Sequence, residues 1–203
     1  AIAAKFPWSR YKSFVDVGAM WNVSGAYAFH ALAEGASAVT AVDVMPPTAE
    51  VVQRNGSVGD RVRFIGGNID DVATMNAIGS TDVVFCSGVL YHVPNPIHTL
   101  TILRAICAET LILSSATLGE FRTPNTAVFL PFLPDAARRR LAYRTRYAKV
   151  GLDTPVDVAA SYANWFWGFS PSVVEAMYRT VGFETVERHE YRHAVCFVLR
   201  PQS

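Results

Sequence analysis

The chain has 203 residues, 51% of them apolar and 17% charged, with a formal net charge of +1. That balance excludes a disordered or collagen-like chain and fits one packed domain, alone or with a substantial insertion. The near-neutral total is lopsided: Arg138, Arg139, Arg140, Arg144, Arg146 and Lys149 are six of the 18 basic residues, leaving 12 basic against 17 acidic elsewhere, a net of −5.

In chain order, short apolar runs alternate with helical patterns, as the βαβ units of a parallel sheet do. Ser13-Phe14-Val15-Asp16-Val17 reads as a first strand ended by Gly18, and Ser24 to Glu34 as a helix closed by Gly35. Ala38 to Val44 is a second strand; Thr48 then caps a helix through Gln53 that Asn55-Gly56 ends. Arg61 to Ile65 is a third strand broken by Gly66-Gly67, Asp82 to Ser87 a fourth, Pro96 to Ile106 a helix, and Thr110 to Ser115 a fifth strand. From 116 to 169 no strand is clear. Prolines, the basic run and the group Trp165-Phe166-Trp167-Gly168-Phe169 suggest a lid or substrate-binding insertion, partly helical over Asp135 to Tyr147. Ser170-Pro171 opens a helix to Val181 that stops at Gly182, and Phe183 to Arg188 and His193 to Leu199 are two closing strands. The order predicts a single α/β domain over 1–203: a doubly wound, mostly parallel seven-stranded Rossmann-like sheet with 116–169 inserted between strand five and the last helix.

Val83 to Leu103 carries no charged residue, but Ser87, Gly88, His92, Pro94, Asn95, Pro96 and His98 interrupt it, so no membrane span is expected. Cys86, Cys107 and Cys196 are odd in number and widely spaced, and no basic-plus-apolar leader precedes them, which predicts a reduced, cytoplasmic setting. The chain begins at Ala1 rather than Met, which points to a trimmed N-terminus. Its five histidines show no ligand-like spacing with cysteines, so no metal is expected.

Open α/β sheets bind ligands at the carboxyl ends of their strands, where strand order reverses. The loops after Val17, Asp43, Ile65 and Cys86 are therefore the places to look. The first, Gly18 to Gly25, offers backbone N–H groups at a helix start. Asp43 ends strand two, 25 residues after Gly18, where an acid commonly accepts two ribose hydroxyls; the other reading is a solvated acid. Gly67-Asn68-Ile69 offers an amide for a purine edge, with Asp70 or Asp71 read as a helix cap. After strand four, Tyr91 and His92 bring a phenol and an imidazole to the crevice.

Val15-Asp16-Val17-Gly18 with Gly25, Val42-Asp43-Val44 and Gly67-Asn68-Ile69, in this register, resemble the class I S-adenosylmethionine-dependent methyltransferases over Ser13 to Ser115 and again over Ser170 to Leu199. Gly88-Val89-Leu90-Tyr91-His92-Val93-Pro94-Asn95-Pro96 and Ala194-Val195-Cys196-Phe197-Val198-Leu199-Arg200-Pro201 are similar to the branch that includes bacterial tRNA wobble-uridine modifying enzymes. The resemblance implies that Asp16, Gly18, Ala19 and Gly25 hold the methionine part of the cofactor. Asp43 would take its ribose, Val44 or Met45 an adenine face, Asn68 and Ile69 the adenine edge, and Ser87 would lie near the methionine moiety. Tyr91 and His92 would face the transferred methyl. The first loop departs from the family in its length and in carrying Met20, Trp21 and Asn22, and Asn68 stands where many members have Asp. The branch also includes an enzyme that uses a carboxylated form of the cofactor, whose carboxylate-binding basic residues find no match here.

Methyl transfer is an in-line displacement in which the protein aims the nucleophile, and a hydroxyl acceptor favours a base near neutrality such as His92, with Tyr91 beside it. Trp165, Phe166, Trp167, Tyr143 and Tyr147 are candidates for the wall of a flat acceptor pocket, and Arg139 for holding a phosphate; core aromatics and a solvated helix face are the competing readings. The expected activity is methylation of a small-molecule hydroxyl, leaving S-adenosylhomocysteine. A tRNA-modifying methyltransferase and a non-catalytic nucleotide-binding protein stand as alternatives. A nicotinamide dehydrogenase fits poorly, because Gly-x-Gly-x-x-Gly is absent from the first loop.

Overall fold

The computed structural model describes residues 6–145, 147 and 151–202; Arg146 and Lys149 of the basic run lie outside them. The strands are β1 (Ser13–Val17), β2 (Ala38–Asp43), β3 (Val62–Gly66), β4 (Thr81–Ser87), β5 (Cys107–Ala116), β6 (Ala127–Phe129), β7 (Trp167–Phe169), β8 (Phe183–Tyr191) and β9 (Ala194–Pro201). The helices are α1 (Ala26–Ala33), α2 (Ala49–Ser57), α3 (Val72–Ile78), α4 (Pro96–Ile106), α5 (Asp135–Thr145) and α6 (Pro171–Thr180). Seven strands make one sheet in the order β3-β2-β1-β4-β5-β9-β8. The first five run parallel, and β9 lies antiparallel between β5 and β8. This is the doubly wound, Rossmann-like sheet the sequence predicts.

Both faces are covered, which is why the central strands read as near-continuous apolar runs. One face packs Val15, Val84, Leu111 and Phe197 with Leu100 and Leu103 of α4 and Val174 and Tyr178 of α6. The other packs Phe14, Val83 and Ile112 with Ala28, Phe29 and Leu32 of α1. Each such side chain, fully buried, stabilises the fold by about 1.5–3 kcal/mol. Helix starts follow local chemistry: the Asn95 side chain accepts from the His98 amide before Pro96, and the Ser170 hydroxyl accepts from Val173 before Pro171.

Several boundaries differ from expectation. α1 starts at Ala26 rather than Ser24, because Ser24 (φ 46°) and Gly25 (φ 69°) are left-handed, which lengthens the loop after β1. α2 runs past Asn55-Gly56 to Ser57, since the Asn55 amide is buried and exchanges two hydrogen bonds with the backbone of Val62 (2.9 and 3.0 Å) instead of ending the helix. α3 begins after Asp71, one of the two residues read as a helix cap, although the Asp71 side chain makes no capping bond. The segment between β5 and α6 is not strandless: β6 and β7 pair antiparallel, Ala127 opposite Phe169 and Phe129 opposite Trp167. It has a small core of Leu118, Leu130, Ala142, Leu152 and Trp165.

Among the described residues, no helix is long and apolar enough to cross a membrane. Cys86, Cys107 and Cys196 are free and buried.

Candidate active site

The strand order reverses between β1 and β4, and a cavity of about 570 Å³ opens at the carboxyl ends of the parallel strands there. Its floor and one end are made by Asp16, Gly18, Asp43, Val44, Met45, Asn68, Ile69 and Ser87. These eight sequence candidates are thus brought together by four strand ends. Ala19 and Gly25 do not line the cavity; the Gly25 amide donates to the Ala19 carbonyl (2.7 Å) and closes the loop on itself.

Asp43 anchors this end. Its Oδ2 accepts from the Met20 amide (2.7 Å) and its Oδ1 from the Met45 amide (2.8 Å). A carboxylate has about four acceptor positions, so about two remain for a ligand. The long loop after β1 is therefore held by the same carboxylate that the sequence assigns to ribose binding. Asp16 is 1% exposed, and its Oδ2 has no hydrogen-bond partner among the described residues. Burial, with the Asp43 charge adding to it, pushes its carboxyl up to about 7.

The other end is aromatic. The one-turn 3-10 helix Leu90–His92 follows β4 and carries Tyr91 and His92 into the cavity wall. The Tyr91 ring stacks on Trp165 (centroids 4.2 Å), and Tyr147 leans on the same indole (5.3 Å). Burial pushes the Tyr91 phenol up to about 12, so it stays protonated at neutral pH. His92 Nδ1 lies 2.7 Å from the Asn164 carbonyl oxygen. A carbonyl only accepts, so Nδ1 carries the proton and a neutral His92 keeps Nε2 as an acceptor. Burial holds the His92 pKa below its usual value, partly offset by this hydrogen bond.

Of the proposed acceptor contacts, Trp165 and Tyr147 line the cavity. Trp167 sits in β7 outside it, its indole N–H donating to the Pro94 carbonyl (3.1 Å) and its ring against Phe129. Arg139 is exposed on α5, and Tyr143 is 88% exposed there. Nor is the basic run one solvated face. Arg138 is 3% exposed, with its guanidinium donating to the carbonyls of Thr154 (2.7 Å) and Leu133 (2.9 Å).

Sequence reasoning missed Tyr162, which reaches the cavity from the β5–α6 segment beside Tyr147. The Asn68 side-chain amide donates to the Tyr162 hydroxyl across 94 positions of sequence, and no local pattern announces such a pair. It also missed Tyr27 and Phe85, whose rings meet at 4.3 Å beneath the loop after β1.

Residues 15–108 match the family described as a methyltransferase domain. That match spans 94 of the 203 residues. Solved structures share its fold. One is 1,6-didemethyltoxoflavin N1-methyltransferase of Burkholderia thailandensis, with its substrate and S-adenosylhomocysteine bound: 16% identity, 99% of this chain and 77% of that one, TM-score 0.66. Another is magnesium protoporphyrin IX methyltransferase of Synechocystis PCC 6803 with S-adenosylhomocysteine: 16% identity, 100% and 78%, TM-score 0.61. A third is an S-adenosylmethionine-dependent methyltransferase of Mesorhizobium loti: 12% identity, 98% and 95%, TM-score 0.62. At these identities the likeness is one of fold. No curated protein sequence matches the chain.

The residues lining this cavity fit S-adenosylmethionine. The Asp43 carboxylate keeps acceptor capacity for a diol, and the orphaned Asp16 oxygen suits a cationic amino group. The cavity falls within the ~300–1,000 Å³ of small-molecule sites.

Proposed function

We propose that this protein is an S-adenosylmethionine-dependent methyltransferase that methylates a hydroxyl group of a small molecule, with His92 as general base and Tyr91 beside it. The observation that carries this reading is the hydrogen bond from His92 Nδ1 to the Asn164 carbonyl, which leaves Nε2 as the basic nitrogen of a cavity-lining imidazole. Asp43 would hold the cofactor's ribose, Asp16 with the Gly18 loop its methionine part, Val44, Met45, Asn68 and Ile69 its adenine, and Ser87 would lie beside the methionine part. S-adenosylmethionine supplies a methyl group on a sulfonium, which departs with the C–S electron pair as a thioether while an acceptor oxygen lone pair forms the new bond. This chain's residues orient the acceptor, exclude water and move its proton: the hydroxyl proton passes to His92 Nε2 and then to solvent. The depressed His92 pKa keeps that nitrogen available below the usual histidine range. The segment over residues 116–169 acts as the lid, contributing Tyr147, Tyr162 and Trp165.

The small-molecule reading is supported by two of these solved neighbours, a 1,6-didemethyltoxoflavin N1-methyltransferase and a magnesium protoporphyrin IX methyltransferase. None of these neighbours supports the tRNA reading drawn from the likeness to the wobble-uridine branch, and in the basic run Arg138 is turned into the protein's interior. Among the described residues, no Lys or Arg lines the cavity, so nothing there would hold the extra charge of a carboxylated cofactor.

The test is labelled-methyl transfer from S-adenosylmethionine to pooled phenolic, alcoholic and RNA acceptors, followed by His92→Ala on the acceptor found. Turnover is expected to fall ~10²–10⁴-fold with S-adenosylhomocysteine affinity unchanged. Near-full turnover in that variant removes His92 from the role, and labelling confined to RNA overturns the acceptor class.

A further inference from the structure

The residue that presents its carbonyl to His92 is itself clasped. Asn164 is 7% exposed, and its side chain bridges back to the start of its own loop: Oδ1 accepts from the Asp157 amide (2.9 Å) and Nδ2 donates to the Asp157 carbonyl (2.7 Å). The two bonds close residues 157–164 into a ring. The Asp157 side chain tightens its first turn by accepting from the Ala159 amide (2.9 Å). Just beyond the ring, the Phe166 amide donates to the Tyr91 carbonyl (2.8 Å), tying the chain to the residue before His92. The Asn164 carbonyl is thus fixed from both sides, by its own side chain and by the backbone two residues on.

We propose that Asn164 is a positioning residue for the methyl-transfer site: by clasping Asp157 it holds its carbonyl on His92 Nδ1 and so selects the tautomer in which Nε2 is the free base. This rests on His92 being the base. Asn suits the task because only an amide presents an acceptor and a donor in one plane, matching the carbonyl and amide of a single backbone residue. Asp would keep the bond from the Asp157 amide and lose the one to its carbonyl. Ala would lose both and free the carbonyl to leave His92. Imidazole would then distribute its proton over both nitrogens, and the fraction with Nε2 protonated could not accept from a hydroxyl.

The test compares wild type, Asn164→Asp and Asn164→Ala by the nitrogen chemical shifts of His92 and by turnover, with S-adenosylhomocysteine affinity measured by calorimetry and folding by thermal melting. The expected result is a wild-type His92 protonated at Nδ1 and an Nε2-protonated fraction that grows in Asp and again in Ala. kcat should fall with it by roughly 10-fold or more while KM and cofactor affinity hold, since orienting a general base acts on the proton-transfer step. An unchanged His92 tautomer in a folded variant overturns the proposal, even if activity drops. If the tautomer shifts while kcat does not, Asn164 has no positioning role in the reaction. His92→Ala then separates this from the parent reading: its loss of turnover leaves His92 as base, its retention removes both.

Discussion

Asp43 and Ser87 stand at the ends of strands flanked on both sides by parallel neighbours, β2 between β1 and β3, β4 between β1 and β5. Tyr147, Tyr162 and Asn164 stand on a segment with a two-stranded sheet of three residues per strand and a small core of its own. In the first region, many interchangeable apolar contacts place a few polar atoms. In the second, a few irreplaceable hydrogen bonds do so: Arg138 to two carbonyls, Asn164 to Asp157, Phe166 to Tyr91. A sheet tolerates substitution and keeps the shape of its edge, whereas the β5–α6 segment depends on single side chains. The proposed cofactor end and the proposed acceptor end therefore differ in how they fail.

The sharpest way to break that contrast is Asp43→Ala, because there the sheet side also rests on one side chain. With two ligand bonds lost at ~1.5–3 kcal/mol each, S-adenosylhomocysteine affinity is expected to fall by at least about 100-fold in calorimetry, with the fold retained. Asp16→Asn comes next. In the ligand-free protein, Asp16 keeps its proton to about 7 whereas the unfolded chain releases it near 3.8, so the native state binds the extra proton in that window. Stability contributed by this site falls as pH rises from about 4 to about 7 and is flat above. Asn lacks that loss, so thermal melting should show the variant gaining on wild type from pH 5 to pH 8.

Arg138→Met tests the other region. Two carbonyls lose a charged donor, a loss of about 2 kcal/mol that scanning calorimetry should resolve as a drop of several degrees in Tm. S-adenosylhomocysteine binding is expected to hold, since Arg138 lies outside the cavity. The smallest effect belongs to Arg139→Ala, on an exposed face away from the cavity: stability within about 0.5 kcal/mol of wild type and unaltered turnover. A large loss there would restore a substrate role for the basic helix.

The same contrast explains what the sequence reveals. α4 is read to its bounds, Pro96 to Ile106, because Asn95 and Pro96 mark its start and six of its residues are buried on one side. α3 is announced only by its cap residue, not by a pattern: it has seven residues, only Thr74 is buried, and no side chain caps it. β6 and β7 are too short for alternation to show. Asp43 and His92 are legible because strand ends predict where a ligand lies. Tyr162 and Asn164 are not, because their partners are set by how a segment folds back over 72 to 94 positions.

The β5–α6 segment leaves the sheet and returns to it at nearly one point. The Leu118 amide donates to the Phe169 carbonyl (2.8 Å), the Ser170 amide donates to the Thr126 carbonyl (3.0 Å), and β6 lies against β7 just inside. A side chain at Gly168 would overlap Leu118, so this neck is tightly closed. Topologically, everything between is a detachable module on a short stem. Exchanging it would leave the strand order as it is, so the proposed acceptor end can be replaced by graft rather than by remodelling the sheet. The same stem gives the protein engineer two cut sites, one on either side of the β6–β7 pair.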